Sequence, residues 1–153
     1  MGLTVRNAEP GDVEALGELL VEMDRFYGGT TDDSPAERRE QIAEALFAPV
    51  PWAHALVAVD DGHVVGLATY SYHWPAVGLT RSIFLKELYV ARRVWRRGVG
   101  RALMERLVAL GSEQGCSRVE WMADVTNPGA QDFYRALGFT SDSSKLVYRI
   151  ERP

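Results

Sequence analysis

The sequence predicts a mixed α/β (α+β) domain in which helices pack on a single mixed sheet. Strand-like runs and runs with helical periodicity interleave along the whole chain. Two apolar runs meet at Asp60-Asp61-Gly62-His63, whose Asp-Gly pair is a strong hairpin signal and makes part of the sheet antiparallel. The strand-like run Ile83 to Ala91 is followed by Arg-Arg-Gly-Val-Gly-Arg at 96–101 and then by an amphipathic stretch to about Gln114. A strand, a basic glycine loop and a helix therefore follow in that order.

Leu3 to Ala8 alternates apolar and polar side chains and ends at Pro10-Gly11, a first strand entering a turn. Val13, Leu16, Leu20 and Met23 recur at helical spacing. After the loop 28–33, Ser34-Pro35-Ala36-Glu37 matches an N-cap, a proline at the first helical position and a capping-box Glu. That second helix should carry Ile42, Ala45 and Leu46 inward. Ala53 to Val59 and Val64 to Tyr72 are the hairpin strands, and Ser82 to Val90 is the next. Val99, Leu103, Leu107 and Leu110 line one helical face, which Gly111 or Gly115 can end. Ser117 to Met122 is a further strand. Asn127-Pro128 opens a helix with Ala130, Phe133, Tyr134 and Leu137 at helical spacing, Gly138 closes it, and Lys145 to Ile150 reads as a last strand.

With 153 residues, no repeat and no linker, the chain is expected to form a single domain over 1–153. Apolar residues at 46% and charged residues at 25% lie in the soluble globular range. The lone Cys116 excludes an internal disulfide and suits a reducing cytoplasm. No apolar stretch approaches a membrane span, and Arg6 and Glu9 stand where a secretory signal would need an apolar block, so a cytoplasmic location is expected. A net charge of −4 disfavours a nucleic-acid partner, so the local patch of Arg92, Arg93, Arg96, Arg97 and Arg101 points to a small anionic ligand.

The loop suits a pyrophosphate. Gly98 and Gly100 let the backbone approach phosphate oxygens, helix-start N–H groups and the dipole favour negative charge, and Arg96, Arg97 and Arg101 can pair with phosphate. A dinucleotide fingerprint would need a third glycine where Leu103 stands, and no Gly-Lys-Ser/Thr string exists for a nucleoside triphosphate. A phosphorylated cofactor that carries its chemistry elsewhere fits better.

The run Leu85 to Gly100, together with Asn127-x-x-Ala130-x-x-Phe133-Tyr134-x-x-x-Gly138-Phe139, resembles the GNAT superfamily of acyl-CoA-dependent N-acetyltransferases. The resemblance covers nearly the whole chain and implies a GNAT-like, mostly antiparallel sheet of about seven strands with helices on both faces. It implies acetyl-CoA as co-substrate. Leu88, Tyr89 and Val90 would lend backbone groups to the pantetheine arm, and Arg96, Arg97, Gly98, Val99, Gly100 and Arg101 would wrap the diphosphate. Asn127 would lie near the cofactor, Phe133 would flank the thioester, and Tyr134 would protonate the departing thiolate. The chain departs from the family pattern at Trp95, where Gln or Arg is usual, and at Arg92, where proline is common. A weaker likeness to the diamine acetyltransferase branch runs from Trp52 to Val90, but Lys86-Glu87 replaces the acidic pair of that branch, which leaves the amine class and not the diamine.

Transfer to an amine needs a neutral nitrogen, and with a pKa near ~10.4 only about one alkylamine in a few thousand is neutral at pH 7. Glu87, on the strand that would meet the thioester, is the candidate base, with His73 or a water relay as alternatives. Glu87 could instead pair with Lys86, Arg81 or another cation, and Tyr134 could be a core aromatic. His54, His63 and His73 are scattered without ligand spacing, so no metal is expected. Trp52, Tyr70, Tyr72, Trp74 and Trp95 either wall an acceptor pocket or pack, and Asp24, Asp32 and Asp33 could attract a cationic acceptor. The expected function is direct acetyl transfer to a primary amine on a small molecule, by a protein that pairs into a homodimer and engages neither nucleic acid nor membrane. The alternatives are a protein N-terminal or lysine acetyltransferase and a non-catalytic acyl-CoA-binding regulatory module.

Overall fold

In the computed structural model, which describes residues 2–153, the alternating run Leu3–Asn7 forms strand β1 and pairs antiparallel with β2, His54–Asp60. The turn Asp61-Gly62 then reverses the chain into β3, His63–His73. Both turn residues have positive φ, 51° and 77°, the backbone that a two-residue hairpin of the right twist demands. Strand β4, Ser82–Val90, pairs antiparallel with β3, and β5, Arg118–Trp121, runs parallel to β4, giving a five-stranded sheet in the order β1-β2-β3-β4-β5.

Helices cover both faces. Helix α1 spans Val13–Phe26, α2 Pro35–Phe47 and α3 Val99–Glu113. Gly66 of β3 admits α3, since a Cβ there would sit 3.1 Å from Val99 Cγ1 and 3.1 Å from Leu103 Cδ1. Paired residues share a face, so Val90, opposite Gly66, belongs to the α3 side and its neighbour Tyr89 to the other. The Tyr89 hydroxyl accordingly donates to Glu22 of α1 at 2.6 Å. Leu16 and Leu19 of α1, Leu56 and Leu67 of the sheet, and Leu103, Met104 and Leu107 of α3 are buried in the core. The capping box at the start of α2 forms as its sequence predicts: Glu37 N–H donates to Ser34 Oγ at 3.1 Å and Ser34 N–H to Glu37 Oε2 at 2.9 Å.

Asp12 ties β1 to the start of α1. Its nearly buried carboxylate accepts from Arg6 Nη1 at 2.7 Å, Arg6 Nη2 at 3.0 Å and Glu9 N–H at 2.7 Å, and the Arg6 guanidinium holds its pKa below the ordinary carboxylate value. A depressed folded-state pKa adds stability that is present above the unfolded-state value of about 3.9 and is lost as pH falls through the folded value. Because the Arg6 side chain is 39% exposed, Asp12→Ala should cost only about 1.5 kcal/mol at pH 7. Urea unfolding should show that deficit shrinking at pH 3.

Contacts gather the chain into two units that divide after Met122. The second, Ala123–Pro153, holds α4, Pro128–Ala136, closed by Gly138 at φ 89° with Phe139 N–H donating to Tyr134 O at 3.1 Å. The strand expected over Lys145 to Ile150 is not formed, so the described residues make five strands where about seven were expected. Alternation produces a strand only when N–H and C=O groups find a ladder, and residues 123–153 taken alone supply none.

Candidate active site

The β4 edge changes character at Leu85. Its parallel ladder with β5 runs from Ser82↔Arg118 to Leu85↔Trp121, whereas β4 itself continues to Val90. Beyond Leu85 that edge has no ladder partner among the described residues, and an extended ligand arm with amide groups could add there as a strand does. On its other edge β4 pairs Thr69↔Glu87 and Tyr70↔Leu85, leaving Lys86 as the extra residue of a β-bulge. The bulge puts Lys86 in solvent and turns Glu87 inward, where its N–H donates to Thr69 Oγ1 at 3.2 Å. Glu87 lies two residues from Tyr89 and so shares the face toward α1. Half-buried there, its carboxyl is pushed above its ordinary pKa by desolvation, with Lys86 partly offsetting the shift.

After Val90 the chain makes a short 3-10 turn, Arg92–Val94, then passes Trp95 and Arg96 into α3. Gly98, the N-cap of α3, has φ 81°, which only glycine adopts freely. No side chain caps that end, so its first N–H groups stay available to an anion. Arg96, Arg97 and Arg101 are exposed around it, and Arg101 lies 3.7 Å from Glu105. Val99 differs from the loop residues beside it: its side chain is core, packed over Gly66, and only its backbone faces the loop. The Tyr89 ring is buried and its hydroxyl is bonded to Glu22. Val90 O already accepts the Trp95 indole N–H at 2.7 Å.

Asn127, Phe133 and Tyr134 belong to the second unit. Asn127 Oδ1 accepts from Ala130 N–H at 3.1 Å and caps α4, while the Phe133 and Tyr134 rings meet edge to face at 5.1 Å. A profile of the acetyltransferase (GNAT) family matches residues 17–139, from α1 through the β4 edge and the glycine loop to the end of α4. The chain belongs to the GNAT acetyltransferase family.

Among GNAT relatives, the D-amino-acid N-acetyltransferase of Saccharomyces cerevisiae is 28% identical over 148 residues, covering 96% of this chain and 89% of that protein. The aminoglycoside N(6')-acetyltransferase type 1 of Serratia marcescens is 29% identical over 119 residues, covering 76% and 81%. The solved structure of an aminoglycoside N-acetyltransferase in complex with CoA superposes with a TM-score of 0.78 at 20% identity, covering 98% of this chain and 95% of that one, a likeness of fold.

The other candidate residues of this GNAT enzyme take up places that the sequence left open. Tyr70 is core, packed near His54 and Tyr72, while Arg81 lies 4.4 Å over the Tyr72 ring and donates to Gln114, away from Glu87. Trp52 and Trp74 are exposed, so the aromatic residues do not gather into one wall. His73 is exposed and stacks on Phe84 at 4.9 Å. Asp24, Asp32 and Asp33 do come together, on an open cleft of about 450 Å³ lined also by Leu20, Met23, Ile42 and the cation Arg38. Glu22 and the Trp95 tether were not anticipated from sequence. No described helix is long and apolar enough to cross a membrane, and no group of three or more His, Cys, Asp or Glu among the described residues is gathered as metal ligands would be.

Proposed function

We propose that this GNAT enzyme moves an acetyl group from acetyl-CoA directly to a primary amine on a small molecule. The observation that carries the proposal is continuity: the β4 edge left open beyond Leu85 runs into an uncapped helix start flanked by arginines. Backbone groups of Leu88, Tyr89 and Val90 hold the pantetheine arm, and the N–H groups of Gly98, Val99, Gly100 and Arg101 hold the diphosphate with charge from Arg96, Arg97 and Arg101. Bound acetyl-CoA supplies the activated carbonyl. Glu87 takes the proton from the incoming ammonium, directly or through a water, and Tyr134 returns one to the thiolate; Asn127 and Phe133 are assigned to the cofactor by the family resemblance. The amine is itself the nucleophile, so no covalent enzyme intermediate is needed.

The carboxylates around the α1–α2 cleft favour a cationic acceptor, in keeping with the amino-acid and aminoglycoside substrates in the names of the relatives. The same proposal takes the chain as one working domain, since the family match runs across both units, and as a cytoplasmic homodimer.

Incubation with acetyl-CoA and a panel of D-amino acids, aminoglycosides, polyamines and lysine peptides, followed by free thiol, tests it. Thiol release with a small amine is expected. Release with peptides alone would move the assignment to a protein acetyltransferase, and CoA binding without release on any acceptor would leave only a regulatory module.

A further inference from the structure

We propose that Trp95 and Glu22 are positioning residues for the diphosphate loop, struts that fix its start before a ligand arrives. The inference rests on the assignment of residues 96–101 to the CoA diphosphate. The loop leaves β4 at Ala91 and must present the first N–H groups of α3 within a few residues. It does so through Arg96 at φ 65°, a left-handed backbone that is unfavourable for a residue with a Cβ. Such a conformation persists only where the surroundings over-determine it.

Two tethers supply that constraint, one at each end of the 3-10 turn. At its start, Glu22 Oε2 accepts both Arg92 N–H at 3.0 Å and the Tyr89 hydroxyl at 2.6 Å, binding the turn to α1 and β4 together. At its end, the Trp95 indole N–H reaches back to Val90 O at 2.7 Å, with the Phe26 ring edge-on at 5.4 Å and the Arg92 guanidinium 5.5 Å from the indole centroid. Between them, Val94 is sunk in the core. A carboxylate this close to an anion site opposes the diphosphate by charge, so its contribution has to be geometric.

The indole Nε1 is separated from Cα by the same number of bonds as the amide nitrogen of glutamine. Trp95→Phe therefore keeps a ring against Phe26 and Arg92 but loses the donor, whereas Trp95→Gln loses the ring and keeps a donor of equal reach. In Trp95→Phe, KM for acetyl-CoA and the calorimetric Kd for CoA should rise about fivefold to tenfold with kcat within about twofold. Trp95→Gln should recover both to within about threefold of wild type. Glu22→Leu, which removes the one oxygen that accepts both donors, should raise KM about twofold to threefold even though it also removes a charge that opposes the diphosphate, and thermal unfolding of each variant separates loss of folding from loss of binding.

Unchanged KM and Kd in Trp95→Phe would overturn the strut, and equal damage in Trp95→Phe and Trp95→Gln would overturn the role of the N–H. An unaltered or lowered KM in Glu22→Leu would remove the first tether. Wild-type protein that binds no CoA would defeat the loop assignment itself, and this inference with it.

Discussion

Tyr134→Phe should lower kcat about 100-fold while KM for acetyl-CoA stays within about twofold. A thiolate whose conjugate acid has a pKa of about 8.5 by analogy with cysteine is a moderate leaving group, and its departure is aided by a proton in flight. Phenylalanine preserves the ring that meets Phe133 edge to face at 5.1 Å and removes only the hydroxyl, so α4 should keep its packing. If Tyr134 were a packing aromatic alone, the variant would turn over at the wild-type rate. A second comparison isolates the chemistry: with acetyl thioesters of more acidic thiols, which leave without help, the difference between wild type and Tyr134→Phe should narrow. Steady-state kinetics on such a thioester series supplies the check.

What could be read before the structure follows the range of the interactions concerned. The β2–β3 hairpin, the capping box of α2 and the Asn127 cap of α4 are set by residues within a few positions of one another, and each forms where its local pattern places it. The glycine turn into α3 was legible for the same reason, because Gly98 and the arginines around it are consecutive. Glu22 was not, since its hydrogen bonds reach residues 67 and 70 positions away and nothing near it in the chain marks it. Trp95 looked like a departure from the family loop because its hydrogen bond to Val90 O depends on a turn whose path the sequence does not specify. The tail failed in the opposite sense. Lys145 to Ile150 has the alternation of a strand, but alternation states only which side chains could share a face; the ladder must come from elsewhere, and residues 123–153 contain no second strand. The bulge at Lys86 is a third kind of case. It changes which side of the sheet Glu87 faces, and no composition signal announces it, yet the assignment of Glu87 as base depends on it.

Glu87→Gln should lower kcat/KM about 100-fold at neutral pH and change the shape of its pH dependence. One ionisation limits the wild-type reaction at low pH: Glu87 must be a carboxylate to receive the proton of an acceptor that arrives as an ammonium, whose own pKa is near ~10.4. Below the Glu87 pKa the logarithm of kcat/KM should therefore climb with a slope of about one, and above it level off until the acceptor itself loses its proton. Burial lifts the Glu87 carboxyl, so that break should lie higher than for an ordinary glutamate, with Lys86 limiting how far. Glutamine keeps the side-chain shape and the backbone N–H that donates to Thr69, so the bulge should survive. It cannot accept the proton, so the variant should show a slope of about one throughout, from the amine alone. A glutamine variant that kept the wild-type break would move the base to His73 or to a water held by other groups. Lys86→Gln provides the complementary test: removing the neighbouring cation takes away the charge that lowers the Glu87 pKa, so the break should move to higher pH with the rate on its alkaline side little changed.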